Sequence, residues 1–345
     1  MTRLLLLGGG HAHALVLRSF RKFVSKNLDV VLVSAGPRHT YSGMVPGVIA
    51  GYYAAGDAQI DLARLARDAG AAFVQGRIER IDPAEKRVVL ANGNVLSYDV
   101  ASLNLGSMPA GLNENAISVK PFEDFFARWR AILEHGPAAP RIAVVGGGAG
   151  GVEVAMAMKS VLDRRGGGSV EIFTDHFAFP PALAARIRHA LARLSIPLHV
   201  GEAAGPAFDA TYWITGAAAL PLLRESGLKT DARGYVLVDA SLRSISHPDV
   251  FAAGDTASLQ GAALPKSGVY AVRQAPVLAE NLKRVVRGMA MLDYTPQPAS
   301  LALISCGAKY AIASRGGWNS EGRWAWRWKD WLDRRWVAKF SRAGI

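Results

Sequence analysis

Two glycine-rich turns constrain this chain more than any other feature. The first reads Leu4-Leu5-Leu6-Leu7-Gly8-Gly9-Gly10-His11-Ala12-His13, the second Arg141-Ile142-Ala143-Val144-Val145-Gly146-Gly147-Gly148-Ala149-Gly150-Gly151. In each, an apolar run ends in glycines and passes into a helical pattern, the strand–turn–helix that receives a dinucleotide. The first glycine makes the tight turn and the second lets the backbone approach a pyrophosphate. The helix N-terminus then offers amides and a favourable dipole to the phosphates. The second copy fills G-x-G-x-x-G in full. In the first, His13 stands at the third glycine place and predicts looser helix–strand packing. Two such turns, about one domain apart, predict two nucleotide sites, as an enzyme passing electrons between cofactors requires.

The residues around the turns extend this pattern. A ribose is usually held by an acid at the end of the next strand. Ser34 takes that place after Asp29–Val33, and Asp175 lies one position late after Val170–Thr174. Ser34 bonds a ribose more weakly than a carboxylate does, while Asp175 leans towards NADH over NADPH. Arg38 follows closely enough to meet an adenylate phosphate. Tyr98–Ser107 and Ala210–Ala217 read as strands ending in small residues, which put Gly106 and Gly216 where backbone can approach a ligand. In Val250-Phe251-Ala252-Ala253-Gly254-Asp255 a buried strand delivers one carboxylate beside a flexible glycine.

Composition narrows the classes. The net charge of +12 suits a partner with negative charge: a phosphate-bearing cofactor, an anionic membrane or nucleic acid. Two dinucleotide turns make the cofactor the better reading, and no nucleic acid is expected. Cys306 is the only cysteine, which excludes an intramolecular disulfide, a CxxC pair and a thiolate zinc site. Its apolar surroundings predict a buried, inert thiol. His11 and His13 have no acidic or cysteine partners nearby in the sequence, so no metal is expected, and both are read as packing or hydrogen bonding near the cofactor. The four-leucine run is shorter than the ~7 residues of a signal-peptide core, and no stretch reaches the ~18 apolar residues of a membrane span. The expected location is the cytoplasm, either free or peripheral on the cytoplasmic side of a membrane.

Taken in this order, the motifs resemble the pyridine nucleotide–disulfide oxidoreductase superfamily over nearly the whole chain, with Gly254-Asp255 as the most specific part. A single cysteine makes the chain similar to the type II NADH dehydrogenases, a branch that needs no redox pair. Arg38-His39-Thr40-Tyr41-Ser42-Gly43-Met44-Val45-Pro46-Gly47-Val48-Ile49-Ala50-Gly51 and Pro265-Lys266-Ser267-Gly268-Val269-Tyr270-Ala271-Val272-Arg273-Gln274-Ala275-Pro276 look like the flavoprotein subgroup found fused to selenide, water dikinase. The resemblance implies an α/β fold of two Rossmann-like dinucleotide-binding domains, the second inserted in the first. The FAD domain would span 1–108 and 236–296, the NAD(P)H domain 109–235, and a C-terminal segment 297–345.

It also implies the site. Gly8, Gly10, His11, Ser34, Arg38, Ile78, Gly106, Gly254, Asp255 and Val269 would hold FAD, with Asp255 on the ribityl chain. Gly146, Gly148, Gly151, Glu153, Asp175 and Gly216 would hold NAD(P)H. Glu153 would act catalytically between nicotinamide and flavin, unless it only favours its helix start through the dipole. Pro46 would lie beside the isoalloxazine and limit solvent, unless Tyr41–Gly47 is an ordinary Gly/Pro loop. Where type II dehydrogenases carry an Ala-Gln pair at the quinone site, Gly268-Val269 stand here, with Gln274 nearby. The implied activity passes a hydride from NAD(P)H to FAD and electrons on to a quinone or other acceptor. The alternative is a flavin-binding accessory protein of selenium metabolism with little turnover.

The tail is compositionally distinct. Six of the eight tryptophans lie between Trp318 and Trp336. The spacing predicts a helix from about Arg323 to Phe340, with Trp324, Trp328, Trp331 and Leu332 on one face. Trp336 and Phe340 would continue that stripe by steps of four, and Trp326 would point elsewhere. Arg323, Arg327, Lys329, Arg334, Arg335, Lys339 and Arg342 flank it. An aromatic face with basic flanks suits an anionic bilayer surface. The alternatives are a helix capping the FAD domain or a homodimer contact.

Overall fold

The computed structural model describes residues 1–21, 23 and 27–341, so Arg342 lies outside the described residues. Leu4, Leu5, Leu6 and Leu7 are fully buried. A run that is apolar on both faces belongs in the middle of a parallel sheet covered on both sides. Here β1 (Thr2–Leu7), β2 (Leu28–Ser34), β3 (Ala72–Gln75) and β4 (Val100–Leu103) pair in parallel, with Leu4 opposite both Val30 and Val100. A strand from far downstream, Val250–Ala252, adds the remaining edge beside β4. Helix α1 (His11–Phe20) follows the first glycine turn and turns Ala12, Val16, Leu17 and Phe20 into the core.

Tyr41–Gly47, expected as a loop, is largely helical. Ser42–Met44 forms a 3-10 turn that runs into helix α2 (Val45–Ile49), with Pro46 in its first turn, where a missing N–H breaks no helical bond. Val45 and Ile49 of α2 belong to a second core. That core lies against another parallel sheet, built from β5 (Ile117–Ser118), β6 (Arg141–Val145), β7 (Ser169–Thr174), β8 (Leu198–Val200) and β9 (Ala210–Trp213), in the order β5-β9-β6-β7-β8. Helix α3 (Ala149–Arg164) follows β6 at the second glycine turn. All five strands come from the chain between β4 and Val250–Ala252, which we call β10. Helix α4 (Gly268–Val286) then packs on α1.

The chain ends in an antiparallel sheet of β11 (Ala302–Ser305), β12 (Ala311–Arg315) and β13 (Trp318–Gly322), followed by helix α5 (Arg323–Ser341). The predicted single aromatic stripe is divided. A step of four residues overshoots a full turn by about 40°, so a stripe built by fours winds round the helix. Trp324, Trp328 and Trp331 stay on the outer face, 46%, 36% and 53% exposed, whereas Trp336 and Phe340 have wound inward to 8% and 2%. Lys329, expected on the basic flank, also points inward and pairs with buried Asp333. Trp326 does point elsewhere, edge-on to Tyr52 at 5.6 Å. No helix among the described residues is long and apolar enough to cross a membrane.

Candidate functional site

The first turn is shaped by Asn104, at the end of β4. Gly8 has φ +94°, and a Cβ there would lie 2.5 Å from the Asn104 carbonyl oxygen; at Gly10 it would lie 2.2 Å from Asn104 Oδ1. Only glycine fits either place. Asn104 Oδ1 accepts from the amides of Ala12 and His13 (3.0 and 3.4 Å), and Nδ2 donates to the Ala253 carbonyl at 2.8 Å. The amides of Gly9, Gly10 and His11 make no hydrogen bond among the described residues, and so remain free for an anion at the helix start.

His13 corrects an expectation. In the second turn a Cβ on Gly151 would lie 1.9 Å from the Gly146 carbonyl oxygen, so helix and turn touch backbone to backbone. In the first turn the fully buried His13 ring fills the equivalent place. Nδ1 donates to the Gly8 carbonyl at 2.6 Å, and Nε2 accepts from the Ser102 hydroxyl at 2.8 Å. A hydrogen bond replaces the close contact, and the packing is not loosened. Burial pushes His13 down to about 4, so the ring is neutral.

A cavity of about 430 Å³ beside the first turn is lined by Gly8, Gly9, Ser34 and Ile78, together with Arg77 and Glu79, which the sequence did not single out. Arg38 does not line it; its guanidinium donates to Gln59 at 3.3 Å. On the other side of the turn Gly106 and Gly254 both take positive φ. Ser107 Oγ donates to Asp255 Oδ2 at 2.9 Å, and Lys120 Nζ donates to the Ser107 carbonyl at 3.1 Å. Gln274 is buried and accepts from the Gly254 amide at 2.7 Å, which gives it a structural task. Val269, in the first turn of α4, is 39% exposed, and Gly268 beside it faces the His11 ring.

His11, His39, Tyr41 and Trp336 form an aromatic cluster, with His11 4.8 Å from His39 and 5.5 Å from Tyr41. Burial, reinforced by Lys120, pushes His11 down to about 4. His11 Nε2, His39 Nε2 and Trp336 Nε1 are buried and have no partner among the described residues. An unpaired buried polar atom costs roughly 1–3 kcal/mol. Three in one cluster, beside free turn amides and a glycine cradle, fit a large polar ring system such as a flavin.

At the second turn Gly146 has φ +131°, and a Cβ there would lie 2.2 Å from the Ile214 carbonyl oxygen; one on Gly148 would meet only open space. A cavity of about 970 Å³ opens at that point, lined by Gly146, Gly148, Asp175 and Gly216 among others. Gly151 sits beneath the turn, where its task is close packing. Glu153 lies further along α3 and faces β11: its Oε1 accepts from the Ser305 amide at 2.8 Å. Burial pushes Glu153 up to about 7, against the pull of Lys329 and that amide. Lys329 Nζ donates to the Gly43 carbonyl at 2.6 Å and to Asp333 Oδ2 at 2.8 Å. Burial and nearby Asp333 raise Tyr41 well above the usual phenol range. Helix α5 therefore joins Glu153 to the Tyr41–Gly47 segment, in which Pro46 is buried. Cys306 is 3% exposed, and burial pushes its thiol up to about 12, so it stays protonated.

Two parallel sheets, each ending at a glycine turn beside a cavity, define a protein that holds two dinucleotides. The chain belongs to the pyridine nucleotide-disulphide oxidoreductase family, whose model matches residues 2–206 and 204–275. It is an FAD-dependent NAD(P)H oxidoreductase. An NADH dehydrogenase-like protein of Mycobacterium tuberculosis is 29% identical over 299 residues, covering 75% of this chain and 73% of the relative. The demethylphylloquinone reductase NdbB of Synechocystis is 25% identical over 280 residues, 71% of this chain and 69% of its own. Among solved structures, the sulfide:quinone oxidoreductase of Aquifex aeolicus superposes with a TM-score of 0.82 at 17% identity, covering 99% of this chain and 91% of that one. NDH2 of Plasmodium falciparum, in complex with NADH, gives 0.78 at 16% identity, covering 99% and 97%.

Proposed function

We propose that this chain passes electrons from a nicotinamide nucleotide, through FAD, to a quinone at a membrane surface. The observation that carries the reading is helix α5. Its outer face exposes Trp324, Trp328 and Trp331, and its inner face sets Trp336 5.8 Å from Tyr41 and 6.2 Å from His11. The wall of the flavin cluster and the aromatic outer face are thus one element. Indole rings favour the headgroup level of a bilayer, and basic residues beside them favour anionic lipid; Arg335 lies over the Trp331 ring at 5.1 Å. The name of the Synechocystis relative supports a quinone-type acceptor. A docked helix would let such an acceptor arrive without leaving the lipid, from the cytoplasmic side. The competing use of the same face is a homodimer contact, which sedimentation without lipid distinguishes.

The residues then take these roles. The FAD domain comprises 1–108 and 236–296, and the NAD(P)H domain, 109–235, is inserted in it. The Gly9, Gly10 and His11 amides hold the pyrophosphate of FAD, Ser34 and Ile78 its adenosine end, and Asp255, with Ser107 and Lys120, its ribityl chain. Gly146 and Gly148 approach the nicotinamide nucleotide and Asp175 holds its ribose. Glu153 holds or moves a proton, and Pro46 excludes water. When bound, FAD supplies the electron-transfer chemistry between donor and acceptor. The Arg38–Gly51 and Pro265–Pro276 motifs support membership of the subgroup fused to selenide, water dikinase.

Anaerobic mixing with NADH and NADPH, followed by a soluble quinone, tests the reading. Bound flavin should bleach and then regain its yellow colour. Flavin that stays oxidised with both nucleotides would defeat the donor half of the proposal. Bleached flavin that quinone fails to reoxidise would defeat the acceptor half, and favour the accessory reading.

A further inference from the structure

The 970 Å³ cavity at the second turn is acidic at one end, although the chain as a whole carries +12. Asp175 follows β7 and Glu202 follows β8, and both line the cavity. Those strands are neighbours in register, with Thr174 opposite Val200, and the Gly201 amide donates to the Thr174 carbonyl at 2.9 Å. The two carboxylate-bearing loops are therefore tied together at the carboxyl ends of adjacent strands. Gly201 takes φ +82°, which turns the chain immediately before Glu202.

His199 lies behind Glu202. His199 Nε2 lies 2.8 Å from Glu171 Oε2, and its Nδ1 lies 3.4 Å from Glu202 Oε2. The same imidazole stacks on Phe173, a cavity-lining ring, at 4.5 Å and 10°. Phe173 and Glu171 thus fix the His199 ring, which stands beside a Glu202 side chain that is two-thirds exposed. Among the described residues, no lysine or arginine lines the cavity.

Building on the proposed nicotinamide site, we propose that Glu202 is a second specificity-determining carboxylate that excludes the 2′-phosphate of NADPH. In this architecture the ribose of the adenosine half lies at the end of the strand that precedes Asp175. NADP-binding members of this fold accommodate the phosphate with a nearby arginine; this chain places Asp175 there and Glu202 at the end of the adjacent strand. A phosphate monoester carries close to two negative charges at neutral pH. Facing one carboxylate at about 6 Å in a watery dielectric, it loses about tenfold in affinity. Asp175 and Glu202 together give about a hundredfold preference for NADH.

The test uses the full flavoprotein and takes dissociation constants for NADH and NADPH from the concentration at which each half-saturates the rate of anaerobic flavin reduction. Wild type should prefer NADH by about two orders of magnitude. Glu202→Gln should narrow that ratio about tenfold through tighter NADPH binding. Glu85→Gln makes the same change in net charge at an exposed site that does not line the cavity, and should leave the ratio alone. An unchanged ratio in Glu202→Gln, an equal weakening of both nucleotides, or a wild type that binds both alike would each overturn the assignment. If neither nucleotide binds to wild type with a normal melting curve, the nicotinamide site itself falls, and with it this inference.

Discussion

Glu153 carries a proton that an ordinary glutamate would have released. Its ordinary value of 4.5 is pushed up to about 7 by burial. If it supplies a proton to the acceptor, quinone reduction should slow as pH rises through 7, and Glu153→Gln should erase that limb. A limb that survives in the variant, measured in the reoxidation step alone, would assign the proton to another group. The native state holds this proton between 4.5 and 7 while the unfolded chain has lost it, so the group favours folding at low pH and ceases to as pH passes 7. His11 and His13 work in the opposite sense. Both stay neutral down to about 4, whereas an unfolded histidine takes a proton near 6.5. Their effect is to lower stability as pH falls from 6.5 to 4. Melting curves across that window should show the decline, and His13→Phe should make it shallower while lowering Tm at neutral pH. An equally steep decline in the variant would exonerate His13. The glycines were legible in the sequence because a backbone contact forbids a side chain at one fixed spacing. Asn104, Ser107 and Lys120 were not, because their partners are set by which strand ends the topology brings together.

Helix α5 shows how far spacing alone can be read. Its limits were legible from the run of aromatic and basic residues, but its inner face was not. Counting by fours ignores the drift of the stripe, and a lysine in a basic run reads as solvated. The structure instead buries Lys329 against Asp333 and Gly43. Removing one partner leaves a buried charge unpaired, a cost of about 3–5 kcal/mol. Lys329→Met should therefore lower Tm sharply, whereas replacing Trp324, Trp328 and Trp331 by serine should leave Tm nearly unchanged. The triple variant should lose the cosedimentation with anionic vesicles that wild type shows; retained binding would remove this face as the contact, and a wild type that stays in the supernatant would remove the membrane from the proposal. Deleting the helix outright would strip both faces at once and separate nothing. The strand before it, Trp318–Gly322, was invisible in the sequence because Trp-Asn-Ser-Glu-Gly has no alternating pattern and pairs only through β12.

At the scale of the whole molecule, the fold class was legible because each turn announces its own parallel sheet. Spacing alone could not show that β10 joins the first sheet across the full length of the second, since strand pairing between distant segments leaves no local pattern; the return of 236–296 to the first domain was expected only from the family resemblance. That pairing has a consequence for synthesis. Every strand of the second sheet has left the ribosome by Trp213, whereas the first sheet stays open at one edge until Ala252 arrives. Asn104 waits equally long for the Ala253 carbonyl that fixes its amide. A nascent chain should thus finish its later-coded nucleotide unit before its earlier-coded one. Limited proteolysis of a chain truncated before Val250 should spare residues 117–213 and cleave within 1–103, and equal protection of both would refute this order. The half that is translated first is the half most dependent on its own distant end, and it is the one a chaperone would need to shield.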